Sequence, residues 1–384
     1  MQNFVFRNPT RIVFGKGSIA QIKDLIGARE RVLVTFGGGS IKKNGVYEQV
    51  KATLAGRMLF EFGGIQPNPR YETLMAAVAL VKQQMISYLL SVGGGSVLDD
   101  TKFIAAAARF EGREPWDIVA KAAPVKAALP MGAILTLPAT GSESNGFAVI
   151  SRSSTQEKLA FGSDVCFPEF SVLDPQVTMS LPPKQVRNGI VDAFVHVMEQ
   201  YATYPVNAAI QDRQAEAIFQ TLIEAGPKTL KDAQDYDARA NLVWSATQAL
   251  NGWIGQGVPQ DWSTHMIGHE LTAFFGIDHA ESLAVVLPAL FRHEMSRKQA
   301  KLAQYARRVW GVAETDDAKA AELGLVKTVD FYHSLGMKTT LADYGISAQD
   351  AAKKVSERFA SRGKKLGEHQ TIDAAATKEI LLAC

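Results

Sequence analysis

The sequence predicts an α/β half built on a mostly parallel sheet, residues 1–182, followed by an all-helical half, residues 183–384. Three observations carry this. Short apolar, β-rich runs alternate with helical patterns up to Leu181, and such alternation implies parallel strands joined by helical crossovers. After Ser180-Leu181-Pro182-Pro183, a helix-start signal, the apolar spacing is helical almost to the end. A length of 384 residues also asks for two or three cores at roughly 150 residues per domain.

Taken in order, Phe4 to Phe14 reads as two short strands around Asn8-Pro9, an edge hairpin at most. Strands follow at Arg31–Phe36, Met58–Phe62, Ser87–Val92, Gly132–Leu137, Phe147–Ile150 and Ser171–Leu173, with helices such as Tyr71–Gln84 and Ser96–Arg109 between them. The second half reads as helices over Gln185–Thr203, Asn207–Ala225, Tyr236–Asn251, Asp261–Phe275, Lys298–Val312 and Asp317–Leu335.

Composition excludes several classes. Apolar residues make up 47%, enough for large cores without covalent staples. Lys+Arg 41 against Asp+Glu 39 leaves +2, which argues against a nucleic-acid or acidic-membrane binder. Cys166 and Cys384 are the two cysteines, so no disulfide framework is expected. The segment Met1 to Gly15 lacks an apolar leader and no run is long enough to span a membrane, so a cytoplasmic protein is expected.

Gly-Gly-Gly-Ser occurs twice, at 37–40 and 93–96, each time after an apolar strand and before a helix. Glycine lets a phosphate approach the backbone, and the helix start supplies N–H donors and partial positive charge. One such loop could be a tight turn alone; two at the carboxyl ends of parallel strands point to a nucleotide. Neither matches G-x-G-x-x-G. The first loop, Gly37-Gly38-Gly39-Ser40, carries no carboxylate to repel a 2′-phosphate, and Lys42 and Lys43 follow, so NADP(H) is favoured over NAD(H). Asp99 reads as lying in the first turn of the helix after the second loop, either compensating the dipole or held over the cofactor. Asp100 adds a second acid. Pro138 to Asn145 forms a third polar loop at a strand's carboxyl end.

Four of the seven histidines fall between 196 and 279. Asp192 and His196 are four apart on one helix, with Asn188 and Glu199 on the same face among apolar neighbours. His265 and His269 are four apart on another, and His279 stands just past the Gly276 that ends it. One acid and three imidazoles from two helices and a loop suit a divalent metal, zinc or iron(II). Spacing does not decide which of His265 and His269 binds, and the Glu of H-E-x-x-H is missing.

The chain resembles the iron-containing (group III) alcohol dehydrogenases, in particular the NADPH-dependent aldehyde reductases of the butanol-dehydrogenase branch. The match runs from Pro9-Thr10-Arg11-Ile12-Val13-Phe14-Gly15-Lys16-Gly17 through both glycine loops, Pro115-Trp116-Asp117, Leu137-Pro138-Ala139-Thr140-Gly141-Ser142-Glu143 and Leu181-Pro182-Pro183 to Asp192, His196, His265, His269 and His279. The resemblance implies a Rossmann-like nucleotide domain plus a helical metal domain, the dehydroquinate synthase-like architecture. It implies Asp192, His196, His265 and His279 as metal ligands, with His269 beside the substrate. It implies cofactor contacts at Gly37, Gly38, Gly39, Ser40, Gly94, Gly95, Ser96, Asp99, Thr136, Leu137, Thr140, Ser142, Asn145 and Lys158, with Asp99 also a candidate for chemistry. A homodimer acting on small aldehydes or alcohols, mainly by aldehyde reduction, is implied too. Phe147 and Trp253 are bulkier than the resemblance leads one to expect and would narrow the pocket.

Two rivals share the architecture. A dehydroquinate synthase-type lyase would need more basic residues near the metal ligands than Lys184 and Arg187. An NAD-dependent polyol dehydrogenase would not need His196 beside Asp192.

Overall fold

Strands that alternate with helical crossovers collect into one sheet. The computed structural model describes every residue except Pro67 and Pro69. The described residues form strands β1 (Arg11–Phe14), β2 (Arg31–Phe36), β3 (Met58–Phe62), β4 (Tyr88–Gly93), β5 (Met131–Leu135), β6 (Phe147–Arg152), β7 (Glu157–Gly162) and β8 (Phe170–Leu173). Six of them make a parallel sheet in the order β1-β8-β5-β4-β2-β3.

Both faces of that sheet are covered, which is why its strands read as unbroken apolar runs. Leu33 and Leu89 face a core shared with Leu74, Phe103 and Ile104. Their neighbours Val32, Val34, Leu90 and Val92 face the opposite core, with Ile19, Ile22, Val46 and Val50. The helices of two turns or more in this half are α1 (Val46–Thr53), α2 (Tyr71–Gln83) and α3 (Gly95–Ala108). They are followed by α4 (Pro183–Tyr201), α5 (Ala209–Lys231), α6 (Tyr236–Ala249), α7 (Ser263–Phe275), α8 (His279–His293), α9 (Met295–Trp310), α10 (Asp317–Ser334), α11 (Ala348–Ser361) and α12 (Ala374–Leu382).

The chain divides into two compact units. One holds Arg7–Pro182 with Ala233–Thr247, and the other holds Met1–Phe6, Pro183–Asp232 and Gln248–Cys384. The first six residues go with the helical unit because Gln2 N–H donates to Gly257 and the Phe6 ring meets Trp253 edge-on. Residues 233–247 go with the sheet unit, where Val243 joins its core and Thr247 donates to the buried Glu143.

Four expectations are corrected. The segment before Pro9 is not a strand, because Asn8 spends its side chain on Ser144 and on Thr10 N–H; β1 alone forms and pairs parallel with β8. The strand at 147–150 lies outside the parallel sheet, as β6 of an antiparallel hairpin with β7. Asp99 falls in the second turn of α3, not the first, since that helix opens at Gly95. His279 is the first residue of α8, not a loop residue, so the histidine cluster draws on three helices.

Candidate metal centre and cofactor loops

In the helical unit, α4 carries Asp192, His196 and Glu199, α7 carries His265 and His269, and α8 opens with His279. Gly268 lets α7 and α8 approach, for a Cβ there would stand 2.8 Å from Ser282 Oγ and 3.0 Å from Leu283 Cδ2. One ligand atom each from Asp192, His265 and His279 lies within 4.8 Å of the others. Asp192 Oδ1 is 3.4 Å from His279 Nε2 and 3.8 Å from His265 Nε2. His196 lies beside this trio rather than within it. Its Nε2 is 3.9 Å from Asp192 Oδ1, and its ring stacks on His265 at 4.6 Å. The His269 ring sits 5.2 Å from that of His279 and 6.1 Å from that of His265.

Electrostatics separate the rings. Burial pushes His196 down to about 4, so its ring is neutral. Burial also acts against the charged form of His265, but the carboxylates of Glu199 and Asp192 outweigh it and raise the ring to about 9. His265 Nε2 and His196 Nδ1 are buried with no hydrogen-bond partner among the described residues. Buried polar atoms are ordinarily satisfied, so His265 Nε2, which faces Asp192, stands out as a nitrogen the fold alone leaves unserved. One carboxylate with several imidazoles fits zinc or iron(II) by donor type.

In the sheet unit the two glycine loops leave adjacent strands at the same level, since Phe36 of β2 pairs with Val92 of β4. From β2 the chain continues to β3 on one side, and from β4 to β5 on the other. The loops therefore flank a topological switch point, where open α/β sheets bind ligands. Thr136 N–H donates to Gly93 O at 2.9 Å and draws the third loop against the second. A Cβ on Gly94 would lie 2.9 Å from Leu137, and one on Gly95 2.5 Å from Thr140, so glycine is required there by loop packing. Gly38 and Gly39 face open space, with Gly39 at φ +93°. Ser40 and Lys43 are exposed, whereas Lys42 is drawn to Glu61 at 2.7 Å.

Beneath the third loop lies a residue the sequence reading passed over. Lys102, fully buried, donates to Ser142 Oγ at 2.8 Å, Asn145 Oδ1 at 3.0 Å and Phe147 O at 2.7 Å. Ser142 in turn donates to Asp99, whose other oxygen accepts Val149 N–H. Burial pulls Lys102 down to about 8 against the charge of Asp99. The signal was its i,i+3 spacing from Asp99, which puts both on one helix face. Ser142 and Asn145 are thus engaged inside the protein. Lys158 is largely buried and donates to Asn68 Oδ1. The Phe147 ring is 58% exposed and lies over Gly162; in the other unit Trp253 is 44% exposed.

Asp100 is fully buried, and neither carboxyl oxygen has a hydrogen-bond partner among the described residues. Burial, then the neighbouring Asp99 charge, raises its pKa well above the carboxylate range. A raised folded pKa gives stability that is complete below the unfolded value and lost as pH climbs to the folded one. Asp100→Ala should therefore gain on the parent as pH rises from 5 to 8, by up to about 1.4 kcal/mol per pH unit. Thermal melts of both proteins across that range check this; a pH-independent gap contradicts it.

Residues 9–175 match the family model described as iron-containing alcohol dehydrogenase, and residues 187–382 match that of the Fe-containing alcohol dehydrogenase family, C-terminal. The chain is 54% identical to the NADPH-dependent aldehyde reductase YqhD of Escherichia coli, over 99% of each. It is 41% identical to a probable NADH-dependent butanol dehydrogenase 1 of Bacillus subtilis over 100% of each. The crystal structure of E. coli YqhD superposes with a TM-score of 0.98, covering 100% of this chain and 98% of that one. NADH-dependent butanol dehydrogenase A of Thermotoga maritima, 36% identical, gives 0.94 over 99% and 98%.

Proposed function

The chain belongs to the iron-containing alcohol dehydrogenase family, and from that premise we propose that it is an NADPH-dependent aldehyde reductase. The reaction is aldehyde plus NADPH plus H⁺ giving primary alcohol plus NADP⁺. The observation that carries this reading is the gathering of Asp192, His265 and His279, with His196 alongside, where His265 Nε2 is buried with no hydrogen-bond partner among the described residues.

Asp192, His196, His265 and His279 would hold the ion, zinc or iron(II), and the carboxyl-end loops of the sheet unit would hold NADP(H). When bound, the ion supplies Lewis acidity at the carbonyl oxygen and the nicotinamide supplies the hydride. His269, beside the ligands, delivers a proton to the product oxygen from a ring nitrogen. Asp99, held by Ser142 and Val149, and Lys102, bound to Ser142 and Asn145, fix from beneath the third loop, which with Thr136 and Leu137 before it and with Gly94, Gly95, Ser96, Thr140 and Lys158 would position the cofactor. Lys184 is paired with Asp278 and Glu281, and Arg187 donates to Gly336 O, so neither serves an anionic substrate of the lyase type. NADPH oxidation with butanal, measured before and after chelation and after zinc or iron(II) is returned, tests the reading; turnover that chelation leaves intact rejects it.

Gly37–Ser40 take the adenosine 2′-phosphate in this account. Gly38 has open space and no left-handed φ, so Gly38→Asp adds a carboxylate without backbone strain. The ratio of kcat/KM for NADPH over NADH should fall roughly a hundredfold, the effect of about 2.7 kcal/mol of charge repulsion at 1.36 kcal/mol per tenfold. An unchanged ratio removes the loop assignment. A homodimer and a cytoplasmic setting belong to the same reading. β1 forms one edge of the sheet, where a second copy readily adds, and light scattering should report two chains. Among the described residues no helix is long and apolar enough to cross a membrane.

A further inference from the structure

We propose that Glu199 is a positioning residue of the metal centre, holding His265 in the one tautomer and orientation that offers Nε2 to a divalent ion. This rests on the metal-site reading above. Glu199 lies on α4 seven residues after Asp192, two helical turns along the same face. Its carboxyl is buried, and it gathers three N–H groups of the first turn of α7. Oε2 meets His265 Nδ1, while Oε1 accepts Thr264 N–H at 2.6 Å and His265 N–H at 3.3 Å. One carboxylate therefore satisfies the orphan donors of a helix start and grips the ring of that helix's third residue.

The grip leaves His265 a single nitrogen to give. With Nδ1 committed to Glu199, Nε2 remains, 3.8 Å from the same Asp192 oxygen that stands 3.4 Å from His279 Nε2. The clamp is itself held in place. Asp261 N–H donates to Glu199 O at 2.8 Å, and the Asp261 carboxylate pairs with the buried Lys298, which also binds Glu368. His196 differs, for its Nδ1 has no such carboxylate. The imidazoles are thus not equivalent, and the position of His265 is set by a buried anion on another helix. A carboxylate behind a ligating histidine fixes its tautomer and raises its basicity, and losing it typically costs roughly 10- to 100-fold in metal affinity.

The test compares Glu199→Gln with the parent by zinc competition against a chelator. The glutamine carbonyl can still accept Thr264 N–H, but its NH₂ faces His265 Nδ1 and favours the tautomer with the proton on Nε2. The expected result is zinc affinity lower by roughly 10- to 100-fold, with NADP(H) affinity near the parent's, and partial recovery in Glu199→Asp. Zinc affinity within twofold of the parent overturns the proposal. Should the variant not fold, anomalous maps of the zinc-loaded parent decide: zinc on His265 Nε2 with Nδ1 on Glu199 supports it, and zinc on Nδ1 overturns it. A parent that binds no zinc at Asp192, His265 and His279 instead defeats the underlying site reading.

Discussion

His279→Ala should lose the metal and turnover together while NADPH still binds. Its side chain is one-quarter exposed, so removing it leaves little buried polarity stranded. Losing a Lewis acid worth several kcal/mol lowers kcat/KM by roughly a thousandfold or more. His265→Ala should match that loss and add another. It leaves the buried Glu199 without its cationic partner, and breaking such a pair typically costs about 3–5 kcal/mol. The two variants should therefore agree in metal content by elemental analysis and in turnover, yet differ in the denaturant midpoint of the metal-free protein. Equal midpoints would mean that the Glu199–His265 contact contributes nothing to stability. Normal turnover in either variant would remove these residues from the chemistry.

Lys102→Met is the second large effect. The lysine is fully buried and its three N–H donors are all taken, so the substitution withdraws a donor from Ser142, Asn145 and Phe147 at once. It also takes from the buried Asp99 its main compensating ammonium, leaving the weaker influence of Lys158, and burial then drives that carboxyl further toward its neutral form. A loss of about 3–5 kcal/mol is expected, as for a broken buried ion pair. Urea unfolding should show a lower midpoint at unchanged slope. NADP(H) affinity should fall as well, because Lys102 ties α3 to the loop carrying Thr140, Ser142 and Asn145. Metal content should stay at the parent's level, which separates this variant from the histidine ones. A midpoint near the parent's contradicts the account of Lys102.

Much of the fold was legible in the sequence because burial on both faces writes strands as apolar runs, as at Arg31–Phe36 and Tyr88–Gly93. Helix bodies were legible through period and punctuation: Gly276, at φ +71°, does end α7. Strand direction was not. Phe147–Arg152 has the composition of a sheet strand, but nothing local says that it will pair with Glu157–Gly162 rather than join the main sheet. The region before Pro9 failed for a similar reason, since the partner of Asn8 is Ser144, more than a hundred residues away. The candidate metal cluster was legible in its members, because i,i+4 spacing of Asp192 with His196 and of His265 with His269 shows on a helix. Its inner arrangement was not. Which imidazoles converge depends on how α4, α7 and α8 cross, and the close approach at Gly268 is a tertiary fact. Lys102 and Glu199 share that obscurity. Each sits at helical spacing from a residue already singled out, yet its partners come from distant parts of the chain.

Elemental analysis of the purified enzyme, paired with activity on the same sample, tests the central claim most directly. The account predicts one zinc or iron per chain, loss of aldehyde reduction in step with its removal, and recovery on its return. Full NADPH-dependent reduction by protein carrying no such ion would contradict it.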